Sequence, residues 1–445
     1  MQNKAAEISS TEKQTIGNYR WTICALIFFA TTINYLDRAV ISLLKSYLEK
    51  DFNWTETDYS DIVIAFQFSY AIGLLLAGRV IDKAGTKTGY AISLLLWSIA
   101  SMAHALVRNT FGFIIARSAL GISEAGNFPA AIKTVAEWFP KKERAFATGI
   151  FNSGTNIGAI LAPLTVPFIA QSMGWQWAFV ITGSIGFIWL IFWFMVYEVP
   201  AKHKRLSKTE YNYIHSDADE IKSGDMQAGT GKISWFQLLG FKQTWAFFLG
   251  KFLTDPVWWF YLFWLPAFLK AQYGVEGTAT ALPVALVYTM STLGSIFGGW
   301  LPLNLIGKGW TVYRSRKTSM FIYAVCVFPV VFAQMLGSIN MWLAVIIIGF
   351  AASAHQAWSA NIFTTVSDMF PKKAIGSVTG IGGMAGALGG ILIATLAGLL
   401  FDHYKALGKL ETGYYIMFII CGYAYIIAWL VMHFLVPKMK RVQLN

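Results

Sequence analysis

The sequence predicts an all-α integral membrane protein, with twelve transmembrane helices in two six-helix halves and both termini in the cytoplasm. Three observations lead there. Hydrophobic residues make up 56% of the 445-residue chain and charged ones only 13%, against roughly 25% charged in a soluble domain. Apolar runs recur along the whole chain, each near the ~20 residues that cross a bilayer core. Lysine and arginine gather in every second connection between those runs, as cytoplasmic loops require.

Hydrophobic windows place the spans at 19–42, 60–80, 88–107, 111–131, 145–170, 176–197, 243–269, 280–303, 317–335, 340–365, 375–401 and 411–436. Runs such as GSIGFIWLIFWFMVY have no two-residue alternation, which argues against a β-barrel. With the N-terminus inside, cytoplasmic segments hold 26 of the 35 basic residues and exterior loops six, while Arg38, Arg117 and Lys251 fall within spans. The net charge of +12 is therefore topological and excludes nucleic acid as the partner. Cys24, Cys326 and Cys421 lie in apolar segments without metal-ligand spacing and read as small buried hydrophobes. The first twenty residues are polar and predict no signal peptide.

A polar stretch, 198–242, divides an N-terminal half (1–197) from a C-terminal half (243–445), the organisation of a secondary transporter built from internal repeats. Within it, KTEYNYIHSDADEI (208–221) reads as a short amphipathic piece at the membrane surface. The fifth span of each half is rich in small residues, GIFNSGTNIGAILAP and SVTGIGGMAGALGGILIA, which lets helices approach closely in lipid.

Charge inside these spans is where function is expected. NYLDRAVISLL sets Asp37 beside Arg38, about 27 Å along the first span at ~1.5 Å per residue. In the fourth span Arg117 and Glu124 are seven residues apart and share a helix face. A glutamate at mid-membrane must face the bundle interior, and a group poised between burial and a nearby arginine can exchange a proton. The seventh span carries Lys251 and Asp255 one turn apart, followed by Pro256 and several aromatic residues. The tenth carries His355, Gln356 and Asn361. Each group has a plain structural alternative: snorkelling for Arg38, helix packing for Glu124, an internal ion pair for Lys251 and Asp255, a satisfied hydrogen bond for His355.

Spans 1, 4, 7 and 10 each open a group of three, so the pattern predicts four triplets around one central route. Arg38 and Arg117 present forked donors suited to a carboxylate. Tyr70, Asn152, Asn156, Gln356 and Asn361 could hold a hydroxylated body. No phosphate-binding loop, redox motif, zinc cluster or nucleophile elbow occurs, so neither ATP hydrolysis nor enzyme chemistry is expected, and no cofactor or metal. The reading is secondary transport of a small acidic, hydroxylated solute with a proton carried by Asp37 or Glu124, by a monomer. Sodium coupling stays open, as does a sensor or scaffold whose charges only brace the bundle.

The loop after the second span, GRVIDKAGTK, resembles the signature of the major facilitator superfamily, with Gly78, Asp82, Lys83, Gly85 and Lys87 in place and Thr86 departing from it. That resemblance implies a cytoplasmic latch and a rocker-switch exchange of inward- and outward-open states. NYLDRA, ARSALGISEAGNFPAAIKTVAEWFPKKERAFATGIFNSGTNIGAILAP and WQWAFVITG look like the anion:cation symporter family. KFLTDPVWWFYLFWLPAF and AHQAWSANIFTTVSDMFP resemble its hexuronate carriers for galacturonate and glucuronate. The resemblance implies proton-driven uptake across a bacterial inner membrane, with Asp37 and Glu124 as proton carriers and Arg38 and Arg117 on the substrate carboxylate. It also implies a cavity role for Tyr70. A helix-5 contact that is glutamine in related galactonate carriers falls on Thr155, with Asn156 beside it as the substitute. Galactonate or another aldonate, an aromatic acid and inorganic phosphate are the alternative cargoes.

Overall fold

In a computed structural model, residues 16–54, 56–216, 234–275, 279 and 281–443 are described. Among them every element is helical. In the N-terminal half these are α1 (Tyr19–Leu43), α2 (Lys45–Phe52), α3 (Glu56–Ala84), α4 (Thr86–Ala103), α5 (Thr110–Glu124), α6 (Asn127–Trp138), α7 (Lys141–Met173) and α8 (Trp175–Val196). Two short helices follow, α9 (Lys208–Ile214) and α10 (Trp235–Leu239). The C-terminal half comprises α11 (Lys242–Tyr273), α12 (Ala281–Gly307), α13 (Val312–Val327), α14 (Ala333–Gly337), α15 (Met341–Met369), α16 (Ile375–Ala406) and α17 (Leu410–Leu435).

Ten helical segments among the described residues are long and apolar enough to cross a membrane. Two expected windows fall outside that set, for visible reasons. Window 111–131 is divided between α5 and α6. Pro129 has no N–H for the Ala125 carbonyl and its ring crowds that turn. Gly126 sits so tightly on α4 that a Cβ there would stand 2.1 Å from Ser93 Oγ. Window 243–269 lies on α11, whose 32 residues exceed a span, but Lys251, Asp255 and a series of Trp and Tyr residues lower its mean hydropathy. Outward faces carry large apolar side chains such as Phe68 (62% exposed), Phe168 (73%) and Met195 (73%), a surface that only lipid covers well.

Helices pack mainly within each half, α1 on α7 and α3 on α5 in the first, α12 on α15 and α11 on α16 in the second. Two seams join the halves, α7 with α12 and α3 with α16. Both are backbone-to-backbone approaches. A Cβ on Gly149 would lie 2.2 Å from the Ser295 carbonyl, and one on Gly78 would lie 2.3 Å from that of Gly376. The two small-residue runs serve both kinds of packing: Gly149 and Gly380 face the other half, at Ser295 and Leu74, whereas Gly154, Gly158, Gly386 and Gly389 lie against helices of their own half.

Of the expected amphipathic piece, Lys208–Ile214 is helical and residues 217–221 lie outside the described residues. Ser207 caps this helix by accepting from the Glu210 N–H. Glu210, 1% exposed, reaches across to accept from the Tyr19 and Arg20 amides at the start of α1, both at 3.1 Å.

Candidate functional site

A cavity with ≈ 680 Å³ of unfilled space lies between the halves. From the first half Tyr35, Arg38, Tyr70, Asn152 and Thr155 line it. From the second come Lys251, Asp255, Trp258, His355, Gln356 and Ser359. A second space of ≈ 340 Å³, between Arg38, Phe66, Tyr70 and Trp259, continues toward the N-terminal end of α3.

Arg38 is the hinge of the arrangement. Its side chain forms part of the cavity wall, yet its Nε donates to Glu124 Oε2 at 3.1 Å and its Nη2 to Asn34 Oδ1 at 3.3 Å. The guanidinium is sandwiched by Tyr35 and Tyr70, 4.7 and 4.6 Å from the ring centres. Glu124 is fully buried and stands behind the wall. Its second oxygen, Oε1, has no hydrogen-bond partner.

Arg117 and Asp37 are also set back from the wall. Arg117 donates from Nη2 to the Arg38 carbonyl at 3.2 Å and lies 4.6 Å over the Phe66 ring, and its Nε and Nη1 are unpartnered. Asp37 precedes Arg38 by one helical step of ~100°, so it turns from the cavity into the first half. There it accepts from Ser101 Oγ at 3.2 Å, and its Oδ2 is unpartnered. Acids and arginines of the N-terminal half therefore form one buried group, with Arg38 as its member on the cavity.

On the other wall Lys251 Nζ lies 2.6 Å from Asp255 Oδ2, and the ammonium is 4.2 Å from the centre of Phe363. Asn152 Nδ2 donates to Gln356 Oε1 at 2.7 Å. His355 stacks on Trp258 with centroids 5.1 Å apart and its Nδ1 meets the Tyr425 hydroxyl. Thr155 lines the cavity while its hydroxyl donates to the Asn152 carbonyl at 2.8 Å. Asn156, 1% exposed, and Asn361, fully buried, stand off the wall. The Asn156 amide has no partner. Asn361 donates to the Gly298 carbonyl at 2.7 Å and so ties α15 to α12.

Tyr35 and Ser359 were visible among the polar residues of their spans without a site role assigned to them, and Thr379 and His104 were not singled out. Tyr35 was legible in principle, because it precedes Arg38 by three residues and shares its face. His104 was not, since the α4–α8 packing that encloses it is tertiary. Its Nδ1 is bonded to the Ala100 and Ser101 carbonyls, at 2.8 and 3.1 Å.

At the C-terminal end of α3, Asp82 joins the halves. Its carboxylate accepts from the Gly376 and Ser377 amides at 3.1 and 2.6 Å, at the N-terminus of α16, and from Lys133 Nζ at 3.0 Å. Gly78 provides the close approach described above. Gly85 turns the chain at φ +81°, a region glycine favours. Lys87 pairs with Glu198 at 2.8 Å, whereas Lys83 is exposed. A second tie lies at the same end. Asp368 accepts from Arg316 Nε at 2.9 Å and Arg144 Nη1 at 3.4 Å, while Arg144 Nη1 also donates to the Ser367 carbonyl at 2.6 Å.

Among the described residues no three His, Cys, Asp or Glu side chains cluster to hold a metal ion. The fold matches that of the proton:xylose symporter XylE bound to 6-bromo-6-deoxy-D-glucose, with a TM-score of 0.77 and 18% identity over 96% of this chain and 98% of that one. Two packed halves around a polar cavity define a multi-pass membrane transporter. Residues 27–394 match the family model described as Major Facilitator Superfamily, and the chain belongs to that superfamily. Within it the chain is similar to the hexuronate transporter of Escherichia coli (strain K12), at 34% identity over 390 residues, 87% of this chain and 89% of that protein. It is likewise similar to the galacturonate transporter of Dickeya chrysanthemi, at 35% over 289 residues, 65% of this chain and 83% of that protein.

Proposed function

We propose that the protein is a symporter of the bacterial inner membrane that imports a hexuronate, galacturonate or glucuronate, together with a proton by alternating access. Twelve spans in two six-helix halves, 1–197 and 243–445 around the connection 198–242, complete the reading, with both termini cytoplasmic and the monomer as the working unit. The observation that carries it is the position of Arg38, on the cavity wall and hydrogen-bonded to a buried acid. A carboxylate entering the cavity competes with Glu124 for the same guanidinium. Glu124 left unpaired in a dry site costs several kcal/mol as an anion, and a proton removes that cost. Substrate binding and proton uptake thereby favour one another, which is the requirement for symport. Asp37 and Arg117, one layer behind, form the rest of the proton-handling group and supply its balancing charge.

Relatedness to hexuronate and galacturonate carriers supports the cargo. Tyr70, Thr155 and Gln356 on the wall suit a polyhydroxylated body. The two ties at the α3 end fit a cytoplasmic latch in its closed position, with the second space beyond Arg38 as the passage to the exterior. Labelled galacturonate uptake into proteoliposomes tests the proposal. Uphill accumulation is expected with an inward proton gradient and none after a protonophore. Accumulation that persists without the gradient overturns proton coupling, and failure of excess glucuronate and galacturonate to compete overturns the cargo.

A further inference from the structure

We infer that the site takes sugar acids with one carboxylate and rejects those with two, because the wall built by α11 and α15 is made to accept hydroxyl hydrogens. The inference rests on the hexuronate reading above. Among the described residues, Arg38 and Lys251 are the cations on the cavity wall. Lys251 is already neutralised by Asp255 at 2.6 Å, and Phe363 covers it. Its side chain is 6% exposed, against 18% for Asp255, so the acid is the more open member of the pair. Asp255 is also held in place from behind. A Cβ at position 386 would stand 2.1 Å from Asp255 Oδ2, so the carboxylate rests directly on the glycine backbone of α16.

His355 adds a second acceptor. The Tyr425 hydroxyl has one hydrogen and donates it to the Thr254 carbonyl at 3.1 Å. Its oxygen must therefore accept from His355 Nδ1–H, which leaves Nε2 with a lone pair. Stacking on Trp258 fixes the ring in that orientation. The Gln356 amide, whose oxygen is used by Asn152, supplies a neutral donor beside them.

A hexuronate anchored through its carboxylate on Arg38 presents hydroxyls to this wall, including the one at its reducing carbon. Each can donate to Asp255 or to His355 Nε2. The corresponding aldaric acid carries a second carboxylate at that carbon. It would set a negative charge against Asp255 and an acceptor against an acceptor, with Lys251 already engaged. Specificity then comes from repulsion as much as from attraction.

Galacturonate and galactarate, which share the configuration of their four inner carbons and differ in oxidation state at that carbon, the aldarate being open-chain, form the test pair, and the Asp255 variant separates the effect of charge from that of shape. Binding to the purified full-length protein is read from intrinsic tryptophan fluorescence, since Trp258 and Trp259 line the cavity. Wild type should bind galactarate at least about thirtyfold more weakly than galacturonate. Asp255→Asn removes the repelling charge and frees Lys251, and should bring the two acids within about threefold of each other. The double variant Lys251→Gln with Asp255→Asn lacks both the repelling charge and a free cation and should fall between wild type and Asp255→Asn. Equal binding of the two acids by wild type overturns the inference and leaves the hexuronate reading intact. Continued rejection by Asp255→Asn overturns the role given to that residue. Binding of neither acid removes the hexuronate reading and this inference with it. The wild-type comparison decides even where a variant fails to fold.

Discussion

Asp82→Asn should release the latch. The side chain is nearly isosteric, so packing at the α3–α16 seam is retained and the change is electrostatic. Asp82 holds two backbone N–H groups of α16 and the Lys133 ammonium. Hydrogen bonds to a charged group contribute about 1.5–3 kcal/mol each, and an anion at a helix N-terminus about 0.3–2 kcal/mol more. The neutral amide keeps one acceptor oxygen, so roughly half of that interaction survives, and Lys133 loses its counter-charge. A net loss of about 3 kcal/mol follows, near a hundredfold in the ratio of latched to unlatched protein. The Asp368 tie crosses the halves independently through Arg144, so the variant should exchange between states rather than fall apart. Spin labels at positions 202, in the connection just after α8, and 308, in the second half, both exposed, report the separation of the latched ends. Wild type without substrate should give one short distance. Asp82→Asn should add a longer population, and Lys133→Gln a smaller one. A distance distribution unchanged in Asp82→Asn, with the protein monodisperse, refutes the latch.

Glu124→Gln keeps the shape of the Arg38 contact but cannot cycle a proton. It should abolish uphill hexuronate uptake while allowing counterflow exchange, both measured in the same proteoliposomes. Arg38→Lys loses the fork that serves Asn34 and Glu124 together and should weaken substrate binding by at least about tenfold, read by tryptophan fluorescence. Arg316→Ala leaves Asp368 with a poorer partner in a buried setting, and a loss of about 3–5 kcal/mol should appear as a lower thermal unfolding midpoint. At the surface, the hydrogen bond from Lys87 holds the Glu198 carboxyl below the usual glutamate range. A depressed folded-state value gives stability that is present above the unfolded value and lost as pH falls through the folded one, on the acid side of the ordinary glutamate range. The pair is largely solvated, so Lys87→Gln should cost less than about 1 kcal/mol at pH 7 and make that acid-side loss shallower.

Periodicity and charge made the helices legible because hydrocarbon leaves the backbone few options. Ten membrane-length segments and the seam-forming glycines follow from that constraint. The interruption at Ala125–Gly126 was present in the sequence as Gly-Asn-Phe-Pro, but an apolar window averages over a break of two residues. Charged positions in the spans were equally visible, yet their division between wall and interior was not. Asp37 and Arg38 are adjacent in sequence and face different surroundings, because one helical step turns the second toward Glu124 and the cavity and the first toward Ser101. Asn361 shows the same limit. An amide in a polar tenth span reads as a substrate contact, whereas its N–H groups are spent on the Gly298 and Ala357 carbonyls.

That division bears on coupling. Were Glu124 on the wall, its negative charge would oppose an entering carboxylate directly, and the cavity would discriminate against its own cargo. Set behind Arg38, it acts only through the shared guanidinium, so it competes with substrate while anionic and withdraws once protonated. Asp37 is one layer further, bonded to Ser101 and without contact to the wall. Neutralising Asp37 should therefore change substrate affinity less than neutralising Glu124. With Asp37→Asn and Glu124→Gln titrated by galacturonate at the same pH, Glu124→Gln should show the larger change, toward tighter binding, because a neutral amide holds Arg38 more weakly than the carboxylate does. An equal or larger effect from Asp37→Asn would place the proton-sensitive contact with substrate on Asp37 and dissolve the layered arrangement.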